Sequence, residues 1–198
     1  MIEYFEKGTN NKTLILFHGT GGNEKDLIPL AKAIDSNANL LSFRGRVNEN
    51  GMYRFFKRIA PGVFDLDSLK EETYYYLHRI QELAKVHQFK LDEAILIGYS
   101  NGANIIGSMV FHQKDIINKA VLIRPMVPLK EAPHDDLLKT NILMLSGMYD
   151  SIVPKQEANE LKQMFEKRNA NVVFHLLNTG HQIIASEISL IKNWLENI

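Results

Sequence analysis

The sequence predicts an α/β protein, a three-layer α/β/α sandwich built on a mostly parallel, doubly wound sheet. Short apolar runs such as KTLILF, AILIGY and NILMLS alternate with helix-length segments along the whole chain. These runs are nearly continuous in apolar character, as strands covered on both faces are. Two of them empty into glycine-rich turns, HGTGGNE and GYSNGA, which lead towards helical spacing. Strands that feed helices in this way wind through right-handed crossovers into a sandwich. In such sheets the chemistry collects at the carboxyl ends of the strands, so functional residues should follow strands rather than sit inside them.

The elements follow in order. Lys12 to Phe17 is a buried strand running into a glycine-rich turn. Asn23 is placed to cap the next helix, where Leu27, Leu30, Ala31 and Ile34 recur at helical spacing. Asn39 to Phe43 is a second short strand. Arg44 to Asp67 reads as irregular, with Gly51, Pro61, Gly62 and a cluster of aromatic residues. A long helix follows, with Leu69, Thr73, Tyr76, Leu77, Ile80, Leu83, Ala84 and His87 on one face. Ala94 to Tyr99 is a strand, and the helix after it runs from about Asn101 to Gln113. Lys119 to Ile123 is a strand, Arg124 to Asp136 a proline-rich loop, and Asn141 to Ser146 another strand. Lys155 to Arg168 is helical, Asn171 to Leu177 is the last strand, and a terminal helix is expected from His181 onward. No repeat, low-complexity tract or linker divides the chain, so one domain over residues 1–198 is expected.

Composition removes several classes of function. Lys and Arg number 23 against 23 Asp and Glu, so no net field draws nucleic acid or an anionic membrane surface. Cysteine is absent, which excludes disulfides, thiolate metal sites and a cysteine nucleophile and suits a reducing compartment. The N-terminus, MIEYFEK, lacks a basic region followed by a long apolar run, and no segment has the length of a membrane span. A cytoplasmic protein without membrane insertion is therefore expected. The composition does not oppose a homodimer.

Gly98-Tyr99-Ser100-Asn101-Gly102 carries the chemistry. A serine between a strand end and a helix start must turn sharply, and glycines two positions away on either side remove the resulting collisions. The hydroxyl then stands exposed above the sheet at the positive end of a helix. A serine hydroxyl needs a base, and in this architecture an acid and then a histidine follow it in the chain. Of the seven histidines, only His175 and His181 come late enough. His175 lies within a strand pattern, whereas His181 follows the turn Asn178-Thr179-Gly180, so His181 is the expected base. Asp150, in SGMYDSIVP beyond a strand end, is the expected acid, with Asp135 and Asp136 as competitors in the proline-rich loop. An oxyanion needs donors already in place. The backbone N–H of Asn101 is one, and Thr20 in the His18–Gly22 turn is the favoured second. His18 itself is expected to organise that turn. The turn has neither dinucleotide nor P-loop spacing, and no paired His or carboxylates show metal-ligand spacing.

Four segments, FHGTGGNE, GYSNGA, SGMYDSIVP and NTGHQI, stand in the order that makes this chain resemble the α/β-hydrolase superfamily over nearly its whole length. More narrowly it resembles the compact bacterial carboxylesterase/phospholipase family, whose relatives include acyl-protein thioesterases and dienelactone-hydrolase-like proteins. The stretch SFRGRVNENGMYRFFKR resembles a subgroup of hydrolases associated with quinone or hydroquinone stress. The resemblance implies an α/β-hydrolase fold, Ser100, Asp150 and His181 as a catalytic triad, and oxyanion donors at Thr20 and Asn101. It implies no cofactor and no metal. Two departures stand out: dienelactone hydrolases carry a cysteine nucleophile, and acyl-protein thioesterases have glutamine where Asn101 stands.

The expected activity is that of a carboxylesterase acting on a small ester or thioester through an acyl-enzyme. The alternatives are an acyl-protein thioesterase or lysophospholipase, and a non-catalytic homologue that binds a small molecule. Arg44 and Arg46 follow a strand end and are candidate contacts for an acidic substrate group, against a structural pairing with Asp65 or Asp67. Met126 is a further candidate contact. Tyr53, Phe55 and Phe56 are expected either to line an apolar pocket or to anchor their loop by packing. With no large insertion, the cap should be minimal, mainly Arg124–Asp136 with help from Arg44–Asp67, over a shallow, open site.

Overall fold

Apolar runs of about five residues have length enough to cross a core once, and each becomes one strand of a shared sheet. The computed structural model describes residues 2–113, 116–131 and 136–198. Its elements in chain order are β1 (Glu3–Glu6), β2 (Thr13–Phe17), α1 (Ile28–Ile34), β3 (Asn39–Phe43), β4 (Val47–Glu49), β5 (Met52–Arg54), β6 (Arg58–Ala60) and β7 (Val63–Phe64). These are followed by α2 (Leu66–His87), a 3₁₀ turn (Leu91–Glu93), β8 (Ile95–Tyr99), α3 (Asn101–His112), β9 (Lys119–Ile123), β10 (Asn141–Gly147), α4 (Lys155–Glu166), β11 (Asn171–Leu177) and α5 (Ser186–Glu196).

Seven strands form the main sheet in the order β1-β3-β2-β8-β9-β10-β11. All pairings are parallel except that of β1 with β3. Side chains alternate across each strand, and the alternation divides the core. Ile15, Phe17, Leu41, Phe43, Leu96, Leu122 and Met144 pack with residues of α2, α3 and α4. Leu14, Leu16, Leu40, Ile97, Val121, Leu143 and Leu145 pack with residues of α1 and α5. The result is the α/β/α sandwich. From β2 the chain winds outward to β3, then resumes on the other side at β8, so the winding reverses between β2 and β8. A crevice opens at the carboxyl ends of strands at such a reversal.

Five local readings change. β1 is an edge strand whose alternating charged and aromatic residues, Glu3 to Glu6, give no apolar run to detect. Arg44–Asp67 is not irregular: it holds two small hairpins, β4–β5 and β6–β7. The first turns on Asn50 and Gly51, at φ of 54° and 88°, the positive values that a tight hairpin needs. The long helix starts at Leu66, inside the segment expected to be irregular up to Asp67, because Asp65 caps it, its carboxylate accepting from Ser68 N–H at 3.0 Å. At α1 the cap is Leu27, with Pro29 in the first turn. Asn23 instead closes a turn of its own by accepting from Lys25 N–H. Finally, α5 begins at Ser186, which leaves residues 181–185 as a loop. Among the described residues no helix is long and apolar enough to cross a membrane.

Leu96 lies at the centre of the sheet and is fully buried. Leu96→Ala should cost about 2–5 kcal/mol, through lost burial and the cavity left behind. Urea unfolding monitored by circular dichroism will read this as a lower midpoint with an unchanged slope.

Candidate active site

Ser100 joins β8 to α3 with φ 52° and ψ −113°, a strained conformation outside the ordinary regions for an L-residue. The flanking glycines allow it for different reasons. A Cβ on Gly98 would stand 2.5 Å from Gly102 O, the collision between the arms of the turn that the sequence suggests. A Cβ on Gly102 would instead overlap Phe17 O at the end of β2. The second glycine thus lets the first turn of α3 touch the end of β2 backbone to backbone.

The other two candidate side chains meet Ser100 from the far side. His181 Nδ1 lies 2.8 Å from Asp150 Oδ2, and His181 Nε2 lies 2.9 Å from Ser100 Oγ. A carboxylate only accepts, so Nδ1 carries the proton and Nε2 is left to accept from the serine O–H. Asp150 Oδ1 accepts from Ile152 N–H at 2.8 Å and Val153 N–H at 2.9 Å, which fixes the carboxylate within its own turn. Of the competing acids, Asp135 (with His134) lies outside the described residues. Asp136 Oδ1 is engaged by Leu138 N–H and Asn169 Nδ2. Gly147, at the end of β10, has no room for a Cβ against Gly180 O, so the acid turn and the histidine loop also touch through backbone.

One buried arginine holds the histidine loop. Arg124 follows β9 with φ 55° and a fully buried side chain. It donates through Nε to Gly180 O at 3.0 Å and through Nη2 to Gln182 O at 2.7 Å, the carbonyls on either side of His181. Its Nη1 donates to Leu145 O and to Glu187 Oε1, the latter at 2.6 Å, and Glu187 is buried too. Glu187 Oε2 accepts from Ile184 N–H. Tyr99 OH adds a donation to His181 O at 3.1 Å. This pairing escapes sequence reading because Arg124 and Glu187 stand far apart in the chain. The signal available was a charged residue at the end of an apolar strand.

On the opposite side, Asn101 is the first residue of α3, so its N–H has no partner within the helix. Thr20 sits in the turn after β2, and among the described residues no backbone carbonyl accepts from either N–H. The Asn101 side chain has a separate role: its Oδ1 accepts from Phe55 N–H at 2.7 Å and pins the chain after β5 against the elbow. His18 is buried between the two loops. Its Nε2 accepts from Gly45 N–H at 3.0 Å while Nδ1 donates to Gly19 O, and burial pushes its pKa below the ordinary 6.5.

A cleft of about 340 Å³ opens over Ser100 and His181. Thr20, Met52, Arg54, Arg58, Phe64, Asn104, Met126 and Ile152 are among its lining residues. Met126 is therefore in the cleft, whereas Arg44 and Arg46 are not. Arg44 forms a two-pronged pair with Glu24 at 2.6 and 3.0 Å. Arg46 faces Glu72 at 3.5 Å and lies over the Tyr75 ring. Both arginines are structural, and their partners are glutamates rather than Asp65 or Asp67. Phe55 and Phe56 are fully buried in the core, and Tyr53 packs under Arg44, so none of the three lines the cleft. Among the described residues the hairpins supply Met52, Arg54, Arg58 and Phe64, more of the wall than the proline-rich loop does. Arg54 and Arg58 were missed because a segment read as loop gives no face on which to place its side chains.

The family model described as phospholipase/carboxylesterase matches residues 5–198. The protein MhqD of Bacillus subtilis (strain 168), named as a hydrolase, is 41% identical over 194 residues, spanning 98% of this chain and 97% of that protein. The crystal structure of the Bacillus cereus carboxylesterase is similar at a TM-score of 0.96 and 42% identity, over 98% of this chain and 93% of that one. That of a carboxylesterase from Mesorhizobium loti is similar at 0.93 and 32% identity, over 96% and 91%.

Glu187→Ala should leave the Arg124 charge buried without its counter-ion and cost about 3–5 kcal/mol in urea unfolding. A loss below 1 kcal/mol would mean that the pair does not hold the loop. His18 makes stability depend on pH. Its folded pKa lies below 6.5, so the unfolded chain binds more protons in that window and stability falls as pH drops below about 6.5. His18→Gln should remove this component of a pH series of unfolding midpoints.

Proposed function

We propose that this chain, which belongs to the phospholipase/carboxylesterase family of α/β-hydrolases, is a serine esterase that works through an acyl-enzyme. Membership makes it a hydrolase of the esterase type; the serine mechanism is our reading. The observation that carries it is the relay Asp150 Oδ2 – His181 – Ser100 Oγ, with both contacts below 3 Å.

In this reading Ser100 Oγ attacks the ester carbonyl as its proton passes to His181 Nε2. The imidazolium that forms is stabilised by Asp150 through Nδ1–H. The carbonyl oxygen becomes an oxyanion and accepts from the N–H groups of Thr20 and Asn101, which need no rearrangement to donate. When the tetrahedral species collapses, the C–O bond to the alcohol breaks and His181 returns its proton to the departing oxygen. Water then attacks the acyl-serine, with His181 as base, and the acid leaves while Ser100 recovers its proton.

The cleft favours small substrates. Its 340 Å³ is near the lower end of ligand sites, about 300–1,000 Å³. Met52, Phe64, Met126 and Ile152 offer apolar contact to a short acyl or alcohol group. This supports a short-chain ester over the long acyl chains of a lysophospholipase or an acyl-protein thioesterase.

Ser100→Ala should lower kcat on p-nitrophenyl butyrate by on the order of 10⁴-fold or more. A fluorophosphonate probe should label the wild type at Ser100 and leave the variant unlabelled. Activity near the wild-type level in Ser100→Ala would overturn the mechanism. An unlabelled and inactive wild type would favour a protein that binds a small molecule without turning it over.

A further inference from the structure

We propose that Arg54 and Arg58 form an anion subsite in this cleft, so that the preferred ester carries a carboxylate elsewhere on the molecule. The inference rests on the esterase reading and names its substrate class.

Three observations lead to it. Arg54 and Arg58 both line the cleft, and no Asp or Glu does among the described lining residues. Both face a single carboxylate, Glu49, which lies behind the wall. Arg58 reaches it at 3.1 Å through Nε and 2.9 Å through Nη2, and Arg54 Nε is 3.9 Å away. Two guanidinium charges thus share one counter-charge, and the wall keeps an excess of about one positive charge.

The second observation is that the donors are held in place before any ligand arrives. Arg54 is 4% exposed. It donates through Nη1 to Thr20 Oγ1 at 2.7 Å and through Nε to Phe56 O at 3.4 Å. The first bond ties it to the turn that carries the proposed oxyanion donor. Gly21 N–H donates to Tyr53 O at 2.9 Å and joins the same turn to β5. An arginine serving only the hairpin would have no need to contact this turn.

The third is that donors remain. The hydrogen bonds use Nε and Nη1 of Arg54 and Nε of Arg58, and Nη2 of Arg58 lies in ion-pair contact with Glu49 Oε2. Arg54 Nη2 and Arg58 Nη1 have no acceptor among the described residues. Asn104, on the same wall, uses Oδ1 to accept from Met126 N–H and leaves Nδ2 likewise without a protein acceptor. A planar carboxylate meets such fixed guanidinium donors well, and a neutral ester has nothing to offer them.

The test pairs esters that differ in charge. Monomethyl glutarate against methyl valerate places the carboxylate on the acid side, and 3-acetoxybenzoate against phenyl acetate places it on the alcohol side. For at least one pair the wild type should show kcat/KM at least tenfold higher on the anionic member, and added salt should shrink the ratio. Arg58→Ala should lower that ratio tenfold or more. Glu49→Gln removes the counter-charge behind the wall and should raise it. Ligand-observed NMR of Ser100→Ala with the same esters reads the preference without turnover. Equal binding and equal kcat/KM within both pairs would overturn the subsite, as would an Arg58→Ala loss shared equally by charged and neutral esters, the mark of a purely structural role. Hydrolysis of neutral esters that Ser100→Ala abolishes, with no preference for charge, would sink this inference alone. A wild type that hydrolyses none of the four yet binds the anionic members through Arg58 would sink the esterase reading and leave the subsite standing.

Discussion

Backbone contact at the carboxyl rim of the sheet is the constraint on which the rest of the structure depends. The chain after β8 touches the end of β2 at Gly102, and the end of β10 touches the histidine loop at Gly180, each through main-chain atoms with no room for a Cβ. These contacts bring the Thr20 turn, the Ser100 elbow, the Asp150 turn and the His181 loop to one edge. Hydrogen bonds below 3 Å between side chains more than 30 residues apart follow from that placement. The strain at Ser100 persists because sheet pairing on one side and α3 on the other over-determine it.

Electrostatics finish what backbone contact begins, in two ways. Arg124 and Glu187 are removed from solvent, where an isolated charge would be expensive. Their pairing and the carbonyls around them turn that cost into a fixed position for the loop bearing His181. Arg54 and Arg58 stand at the cleft wall, the first buried and the second partly wet, and Glu49 behind them does not cancel both charges. Buried charge on one side of the site gives rigidity, and residual charge on the other gives a field. Asn101 links the halves: its backbone faces the proposed oxyanion and its side chain holds the hairpin segment that presents the arginines.

Much of this was legible in the chain itself. The strands β2, β3, β8, β9 and β10 each announce themselves as a largely apolar run, because burial on both faces leaves little room for polar side chains, and β11, although an edge strand, keeps enough apolar residues in VVFHLL to be read. The elbow was legible because its glycines are local steric requirements. His181 and Asp150 followed from chain order and from turns after strands. Other features were not legible for equally physical reasons. β1 is an edge strand with one solvated side. The Asn50-Gly51 hairpin signal was present but submerged among aromatic residues that read as loop packing. Arg44 and Arg46 are candidates for the cleft because they follow a strand end, and the structural pairing that competes with this reading is the one the fold adopts, with other partners than Asp65 or Asp67. Glu24 and Glu72 capture them instead, while Asp65 is occupied in capping α2.

The sequence by itself determined the order of strands and helices, the class of sheet, and the residue types that the rim could present. These depend on periodicity, glycine sterics and turn chemistry, which act within a few residues. The tertiary structure alone decided which charges meet. Arg124 with Glu187, Arg58 with Glu49 and Arg44 with Glu24 are pairings across loops and strands, fixed by where the sheet order and the hairpins carry each side chain. Local preference has no reach over such distances, and a guanidinium is satisfied by any carboxylate the fold delivers to it.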